Sequence, residues 1–177
     1  MKNDCLLEKS IRHIPDFPKP GIIFYDVTTL IQNKAAFRKS VDLLANKFKN
    51  SKIDKVVGAE ARGFIFGAAV AHKIGAGFVP VRKKGKLPYK TISTSYKLEY
   101  GTDTLEIHRD AISAGERILV IDDLLATGGT IKSAVKLIKQ LRGKIIGIGF
   151  VIELVDLGGR KKLKEYPLYS LVKLHGE

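Results

Sequence analysis

Short apolar runs alternate along this chain with longer segments in which apolar residues recur every three or four positions. The short runs predict buried strands, and the longer segments predict helices that bury one face. The predicted strands are 55–59, 78–81, 118–121, 144–154 and 168–172, and the predicted helices are 4–13, 35–49, 64–74, 131–138 and a short basic one at 157–164. Alternating strands and helices indicate a single α/β domain over 1–177, built on a parallel sheet.

Two segments depart from this alternation. Residues 15–21 contain three prolines and a glycine, which exclude a helix or a central strand, and 22–27 predict a short extended segment behind them. By itself, 15–27 predicts a plain structural crossover. Residues 91–110 alternate between apolar and polar positions with few large apolar anchors, which predicts a polar hairpin acting as a mobile flap over 86–110. Glu106 in this hairpin is expected to face outward. A rigid hairpin lying on a neighbouring subunit is the alternative.

Composition limits the class of protein. Apolar residues make up 45% of the 177 positions and the mean hydropathy is near zero, which indicates a globular domain rather than a disordered chain. The apolar runs are too short to cross a bilayer and no secretory signal pattern opens the sequence, so we expect no membrane partner. The lone Cys5 fits the reducing cytoplasm, where we expect it to have no role.

The net charge of +13 and a pI near 9.8 are typical of proteins that bind nucleic acid. Most lysines are scattered, however, and only 82–86 and 160–162 are dense. We therefore expect a solvated surface whose positive field steers polyphosphate substrates, and no nucleic-acid partner. The basic residues at 82–88 follow a predicted strand, which favours a polyphosphate clamp over the alternative of a solvated hairpin turn.

The clearest candidate for chemistry lies within 117–138. The buried strand 118–121 leads into two carboxylates, Asp122 and Asp123, and 127–130 then turn the chain into a helix through two glycines. Ligands of α/β proteins bind at the carboxyl ends of such strands, and glycines at a helix start let main-chain N–H groups approach an anion. Acids for hydroxyl groups beside a phosphate loop predict a site for a phosphorylated sugar. An ordinary strand–helix connection, capped by a threonine of the turn, is the alternative.

The run Val-Ile-Asp-Asp-Leu-Leu-Ala-Thr-Gly-Gly-Thr at 120–130 resembles the phosphoribosyl-pyrophosphate (PRPP) motif of the type I phosphoribosyltransferases, in the form found in the adenine-specific enzymes. Three further matches extend the resemblance over nearly the whole chain: Ile-Pro-Asp-Phe-Pro-x-Pro-Gly-Ile-x-Phe-x-Asp at 14–26, Ala-Glu-Ala-Arg-Gly-Phe-x-Phe-Gly at 59–67, and Ser-Tyr-x-Leu-Glu-Tyr-Gly-x-x-x-Leu-Glu-Ile-His at 95–108. The resemblance implies a parallel-sheet type I phosphoribosyltransferase fold with a flexible hairpin flap and a small N-terminal purine-binding hood over 1–34.

The resemblance also implies a function, namely conversion of adenine and PRPP to AMP and pyrophosphate in purine salvage, through an oxocarbenium-like transition state. Mg²⁺ would be held mainly by the substrate, with no protein metal ligands, and the assembly would be a homodimer. The residues at the matching positions are, for the ribose, Asp122 and Asp123; for the 5-phosphate, Ala126, Thr127, Gly128, Gly129 and Thr130; for pyrophosphate, Glu60, Ala61, Arg62, Arg82 and Lys83; for adenine, Ile23, Phe24 and Tyr25; and, in the flap, the acid–base residue Glu99 with Tyr100. A cis peptide between Glu60 and Ala61 is a further expectation from the resemblance.

Three positions bear on specificity. Tyr25 stands where the related enzymes commonly have arginine, and Thr29 stands where they often have proline or serine. Hypoxanthine-guanine enzymes carry an aspartate for the purine N7 at the position of Ala126, so proton transfer here must come from another group, for which Glu99 is the candidate. A sister enzyme for xanthine or orotate, and a regulator of the same fold that binds nucleic acid, are the two alternatives.

Overall fold

The computed structural model describes residues 5–97 and 102–175. The strands in these ranges are β1 Arg12–Ile14, β2 Phe24–Asp26, β3 Lys55–Ala59, β4 Gly77–Lys83, β5 Thr91–Lys97, β6 Thr102–His108, β7 Arg117–Leu125, β8 Lys144–Leu154 and β9 Leu168–Leu174. The helices are α1 Cys5–Lys9, α2 Thr28–Gln32, α3 Lys34–Phe48, α4 Arg62–Ile74 and α5 Gly129–Gln140, with two 3₁₀ turns at Val155–Leu157 and Gly159–Leu163. No helix in the described ranges is long and apolar enough to cross a membrane.

The main sheet has the order β5-β6-β4-β3-β7-β8-β9. The neighbouring strands from β4 through β3, β7 and β8 to β9 pair in parallel, whereas β6 pairs antiparallel with both β4 and β5. The central strand of this parallel part is β7, which is buried on both faces, as the continuous apolar run predicts. Leu119 and Ile121 pack with α3 and α4 on one face, whereas Ile118 and Val120 pack with α5 on the other. This two-sided burial places the carboxyl end of β7 in the middle of the molecule.

The predicted helix at 4–13 is too long, because α1 ends at Lys9 and residues 12–14 form β1. These three residues pair with β2 in antiparallel register, from Arg12 opposite Asp26 to Ile14 opposite Phe24. The proline that follows Ile14 also disfavours a helical conformation at that residue. The described part of the N-terminal hood therefore contains a small two-stranded sheet between α1 and α2, and the plain crossover predicted for 15–27 is wrong where 24–26 form β2.

The predicted hairpin is present as β5 and β6, but its base packs more than the polar pattern indicates. β6 pairs with β4, with Glu106 opposite Arg82, so the hairpin extends the main sheet. Leu105 and Ile107 are 2% and 0% exposed in the core layer under α5. The outward position expected for Glu106 is wrong, since this side chain is 8% exposed and accepts a hydrogen bond from the Gly85 N–H. Because β4 lies alongside, both faces of β6 find partners.

The tip of the hairpin, residues 98–101, lies outside the described residues and includes Glu99 and Tyr100. The mobile flap over 86–110 therefore stays a prediction, and the packing of β6 limits it. Any opening of the flap has to leave Leu105 and Ile107 at its base in place, because exposing these buried apolar side chains to water would be energetically unfavourable.

Replacement of Ile107 by alanine tests whether the hairpin base belongs to the core. We expect Ile107→Ala to lower the free energy of unfolding by about 2–5 kcal/mol, because it leaves a cavity under α5. The matched control is Ile22→Ala, since Ile22 is 44% exposed and its loss should have little effect. Urea denaturation of both variants measures the difference, and equal stabilities would show that the hairpin does not contribute to the core.

Candidate active site

A polar cavity of about 260 Å³ opens at the carboxyl ends of β3 and β7. It brings together residues from the loop after β3, the end of β7 and the start of α5, which are separated by about sixty positions in sequence. Its lining consists of Glu60, Ala61, Arg62, Asp122, Asp123, Leu124, Leu125, Ala126, Thr127, Gly128, Gly129, Thr130 and Ile131. The predicted ribose and 5-phosphate residues thus share one cavity with three of the five predicted pyrophosphate residues.

The acid pair lies inside β7 rather than after it, with Asp122 in register with Phe150 of β8. Both carboxylates are 7% exposed. The Arg62 Nε donates a hydrogen bond of 2.5 Å to Asp123, so one of the two negative charges is paired. Asp122 accepts only from the main-chain N–H of Asp123, at 3.0 Å, among the hydrogen bonds of the described residues. Burial, and then the charge of Asp123, hold the pKa of Asp122 well above its usual range.

The space for Asp122 depends on a glycine that the sequence analysis gave no role. A Cβ atom at Gly63 would lie 2.5 Å from the Asp122 Oδ1 and 3.3 Å from the main-chain oxygen of Ile121. Any side chain at position 63 would therefore displace the Asp122 carboxylate. The signal in the sequence is the glycine directly after Arg62 at a strand-to-helix connection.

The glycine-rich turn 126–130 leads straight into α5. Gly128 has a φ of +77°, which glycine adopts without strain, and it stands at the N-terminal cap of the helix. No described side chain caps α5, so the alternative of a threonine-capped connection is wrong. Its first main-chain N–H groups have no partners within the helix and carry the positive end of the helix dipole. An anion such as phosphate is the expected partner for this helix start.

The predicted pyrophosphate residues lie in the loop after β3 and at the end of β4, and hydrogen bonds join the two segments. The Glu60–Ala61 peptide is cis, which confirms the expectation for this loop. The Glu60 carboxylate accepts two hydrogen bonds from Arg82, both of 3.1 Å, and one from the Lys83 N–H. The bond from Arg82 is the main reason why the pKa of Glu60 lies below its usual range. Arg82 and the main chain of Lys83 are thus tied to the loop after β3, whereas Lys83, Lys84 and Lys86 are exposed, so the polyphosphate clamp and the solvated turn both stay open.

The hood residues predicted to bind adenine lie beside the cavity rather than in its lining. The guanidinium carbon of Arg62 is 5.9 Å from the centre of the Phe24 ring, which joins the hood to the cavity. Tyr25 is buried and makes an edge contact with His13 of β1 at 4.9 Å. Its side chain therefore packs in the hood interior, whereas Ile23, directly before β2, is 36% exposed. Glu99 and Tyr100 fall outside the described residues.

The raised pKa of Asp122 predicts how stability depends on pH. A raised pKa favours the folded protein below the ordinary aspartate pKa, and this contribution is lost as pH rises toward the folded-state pKa. The Asp122→Asn side chain cannot ionise. Without ligand, the Tm of this variant should therefore rise relative to the Tm of the wild type as pH increases from about 4 to neutral. Exposed Asp110→Asn is the control. Calorimetry that finds the same difference in Tm between Asp122→Asn and the wild type at every pH would show that ionising Asp122 in the folded protein has no burial cost.

Comparison with known proteins places this site in a family. The family described as phosphoribosyl transferase domain matches residues 26–175. The adenine phosphoribosyltransferase of Pectobacterium atrosepticum is 59% identical over 173 residues, covering 97% of this chain and 94% of the relative. That of Clostridium kluyveri is 59% identical over 167 residues, covering 94% of this chain and 97% of the relative.

Solved structures agree with the sequence comparison. Adenine phosphoribosyltransferase from Thermoanaerobacter pseudethanolicus has a TM-score of 0.92 and 51% identity, over 96% of this chain and 98% of that chain. The Saccharomyces cerevisiae enzyme, complexed with D-2,5-dideoxy-2,5-imino-altritol 1,6-bisphosphate and adenine, has a TM-score of 0.90 and 40% identity, over 94% and 97%. The chain therefore belongs to the phosphoribosyltransferase family and, within it, to the adenine phosphoribosyltransferases.

Proposed function

We propose that the chain transfers the 5-phosphoribosyl group of PRPP to adenine, giving AMP and pyrophosphate as a step of purine salvage. The observation that carries the proposal is the acid pair Asp122 and Asp123 in one cavity with the glycine-rich turn 126–130. A ribose 5-phosphate group needs both acceptors for its hydroxyls and donors for its phosphate, and the cavity offers the two side by side. Membership of the family supports the same reaction.

In this reaction pyrophosphate leaves C1 of the ribose while N9 of adenine approaches, so positive charge grows on the sugar. Asp122 and Asp123 would accept hydrogen bonds from the ribose hydroxyls and stabilise this charge. Hydroxyl donors would also offset the burial that raises the pKa of Asp122. Main-chain N–H groups of 126–130, with the hydroxyls of Thr127 and Thr130, would take the 5-phosphate.

The leaving pyrophosphate would be neutralised by Arg62, Arg82 and Lys83, with Glu60 and Ala61 shaping the loop. Glu60 contributes indirectly, because its carboxylate fixes the guanidinium of Arg82 and the main chain of Lys83. Loss of one such contact to developing charge typically lowers the rate about 10²–10³-fold. The Arg62 side chain is 44% exposed and could meet substrate without leaving Asp123.

Mg²⁺ is the expected companion of PRPP. Within the described residues no group of three or more His, Cys, Asp or Glu side chains is placed to hold a metal ion. Mg²⁺ typically takes only one or two protein carboxylates and keeps phosphate oxygens and water as its other ligands. We therefore propose that substrate oxygens hold the ion, which neutralises their charge.

Adenine would be read by main-chain groups of the hood at Ile23 and Tyr25, with Phe24 between them. One carbonyl and one N–H suit the N6 donor and the N1 acceptor of adenine. The burial of the Tyr25 side chain leaves this main-chain recognition intact despite the departure from arginine. Ala126 offers no group for the purine N7, so Glu99 in the flap, with Tyr100 beside it, is the proposed acid–base residue.

We further propose that the enzyme is a cytoplasmic homodimer without a nucleic-acid partner. Exposed Cys5 is consistent with a reducing compartment. One arginine of each dense basic run is engaged locally, since Arg82 pairs with Glu60 and Arg160 pairs with Glu153. The remaining positive charge would draw PRPP toward the cavity.

A panel of bases tests the proposed function. With PRPP and Mg²⁺ present, kcat/KM for adenine should exceed that for hypoxanthine, guanine, xanthine and orotate by about 10²-fold or more, because unmatched main-chain groups penalise the wrong base. Pyrophosphate release measures each reaction. A value for hypoxanthine or guanine equal to that for adenine would refute the adenine assignment, and activity with orotate or xanthine alone would indicate the sister enzyme.

Replacement of Glu99 by glutamine tests its catalytic role. Loss of an acid–base residue should lower kcat by about 10²–10⁴-fold. The KM for PRPP should stay close to wild type, because the ribose and phosphate contacts lie on β7 and α5. Steady-state kinetics with Glu106→Gln in parallel controls for loss of a flap carboxylate, since Glu106 hydrogen-bonds Gly85 rather than substrate. A fully active Glu99→Gln enzyme would remove the residue from the mechanism.

A further inference from the structure

An ionic cluster around the buried carboxylate of Glu153 lies next to the 5-phosphate turn and has no part in the mechanism described above. Glu153 of β8 is in register with Leu125, the last residue of β7, and is 4% exposed. Its carboxylate accepts 2.6 Å hydrogen bonds from both Nε and Nη2 of Arg160, and a 2.7 Å hydrogen bond from the Ser170 hydroxyl on β9. Three donors on one buried carboxylate fix the position of the arginine closely.

The bond from Arg160 is the main reason why the pKa of Glu153 lies below its usual range, so the carboxylate is ionised at neutral pH. A buried ionised carboxylate has to stay paired, because leaving it unpaired would cost far more than the loss of an exposed ion pair. Arg160 is therefore held at Glu153, and the chain immediately before Arg160 is held with it.

That preceding chain packs directly against the 5-phosphate turn. Gly158 has a φ of +65°, and Gly159 follows it against the main chain of the turn. A Cβ atom at Gly159 would overlap the Ala126 carbonyl oxygen and would lie 3.0 Å from the Gly128 nitrogen. In the other direction, a Cβ atom at Gly128 would lie 3.0 Å from the Gly159 oxygen. The two glycine turns thus touch main chain to main chain, with no room for a side chain between them.

We propose that Glu153, Arg160 and Ser170 are positioning residues that hold Gly159 beneath the turn 126–130 and so keep its N–H groups converged on the 5-phosphate. The inference rests on the proposed function, because it assigns these residues to the phosphoribosyl half of the substrate. They act through the turn and not on the substrate, since Glu153 and Arg160 are absent from the residues that line the cavity. Small misplacements of a binding group cost large factors in rate, which makes such a support necessary.

The prediction is a selective loss of phosphoribosyl binding. Arg160→Lys keeps the charge but loses the two-pronged hydrogen bonding, and Glu153→Gln loses the charge of the acceptor. Each should raise the KM for PRPP about tenfold or more, by analogy with the cost of losing outer contacts at other sites. The KM for adenine should stay within about twofold of wild type, because the hydrogen bonds of the cluster join Glu153 only to Arg160 and Ser170 and not to the hood. Ser170→Ala removes a single hydrogen bond and should show a smaller rise in the same direction.

A matched control lies at the other end of the sheet. Lys55 and Glu116 form an ion pair of 2.9 Å at the amino end of β3, where no substrate group is proposed to bind. Glu116→Gln should lower stability without changing either KM. Titration calorimetry with ribose 5-phosphate should reproduce the PRPP result without catalysis, and circular dichroism with Tm establishes that each variant is folded. If Glu153→Gln does not fold, Ser170→Ala and Arg160→Lys decide the matter.

The outcomes separate the two proposals. A wild-type enzyme that makes no AMP from adenine and PRPP overturns the proposed function, and the positioning role is then judged on ribose 5-phosphate binding alone. Weaker ribose 5-phosphate binding in the cluster variants, with Glu116→Gln unaffected, supports the positioning role. A lower Tm with unchanged KM for PRPP and unchanged ribose 5-phosphate affinity would show that the cluster is structural only. Equal rises in the KM for PRPP and the KM for adenine would also overturn the positioning role.

Discussion

Two adjacent carboxylates at the buried end of the central strand impose the constraint on which the rest of the site depends. β7 has strands on both sides and helices on both faces, so Asp122 and Asp123 cannot both reach solvent. Arg62 pairs with Asp123, whereas Asp122 remains with a raised pKa and a single main-chain donor among the described groups. An arrangement that is unfavourable without ligand and is relieved by hydroxyl donors is suited to binding a sugar. Part of the stability of the fold is thereby given up for function.

Three arginine–carboxylate pairs surround this acid pair and share one design. Arg62 with Asp123, Arg82 with Glu60 and Arg160 with Glu153 each join an arginine at a helix start or a strand end to a carboxylate near or just after the end of a strand. The segments proposed to meet the sugar, the pyrophosphate and the 5-phosphate are therefore oriented in the protein without substrate. Charged groups that are already in place need no reorganisation during the reaction, which is the source of electrostatic catalysis.

The sequence predicted the central strands well, because local information was sufficient there. Strands at 55–59 and 144–154 have the predicted limits. The predictions were wrong where distant segments decide the outcome. The strand at 12–14 exists only through its pairing with β2, and the burial of Glu106 depends on β4 lying alongside.

The site residues divide in the same way. The acid pair and the glycine-rich turn were singled out from residue types in sequence order, whereas the pyrophosphate loop and its cis peptide followed from the resemblance. The role of Gly63 has only a weak local signal, its place directly after Arg62 at a strand-to-helix connection, because the Asp122 carboxylate that needs the space belongs to a distant segment of the chain. The packing of Gly159 under Ala126 joins segments thirty residues apart in the chain, and alternation of apolar and polar positions carries no information about such a contact.

The central claim is that β7 and the start of α5 together bind a ribose 5-phosphate group. A crystal structure of the protein with AMP bound tests it most directly. The account predicts phosphate oxygens within about 2.7–3.2 Å of main-chain nitrogens in 126–130, and ribose hydroxyls that donate to Asp122 and Asp123. AMP bound with its phosphate on surface lysines, or with its ribose away from the two carboxylates, would contradict it.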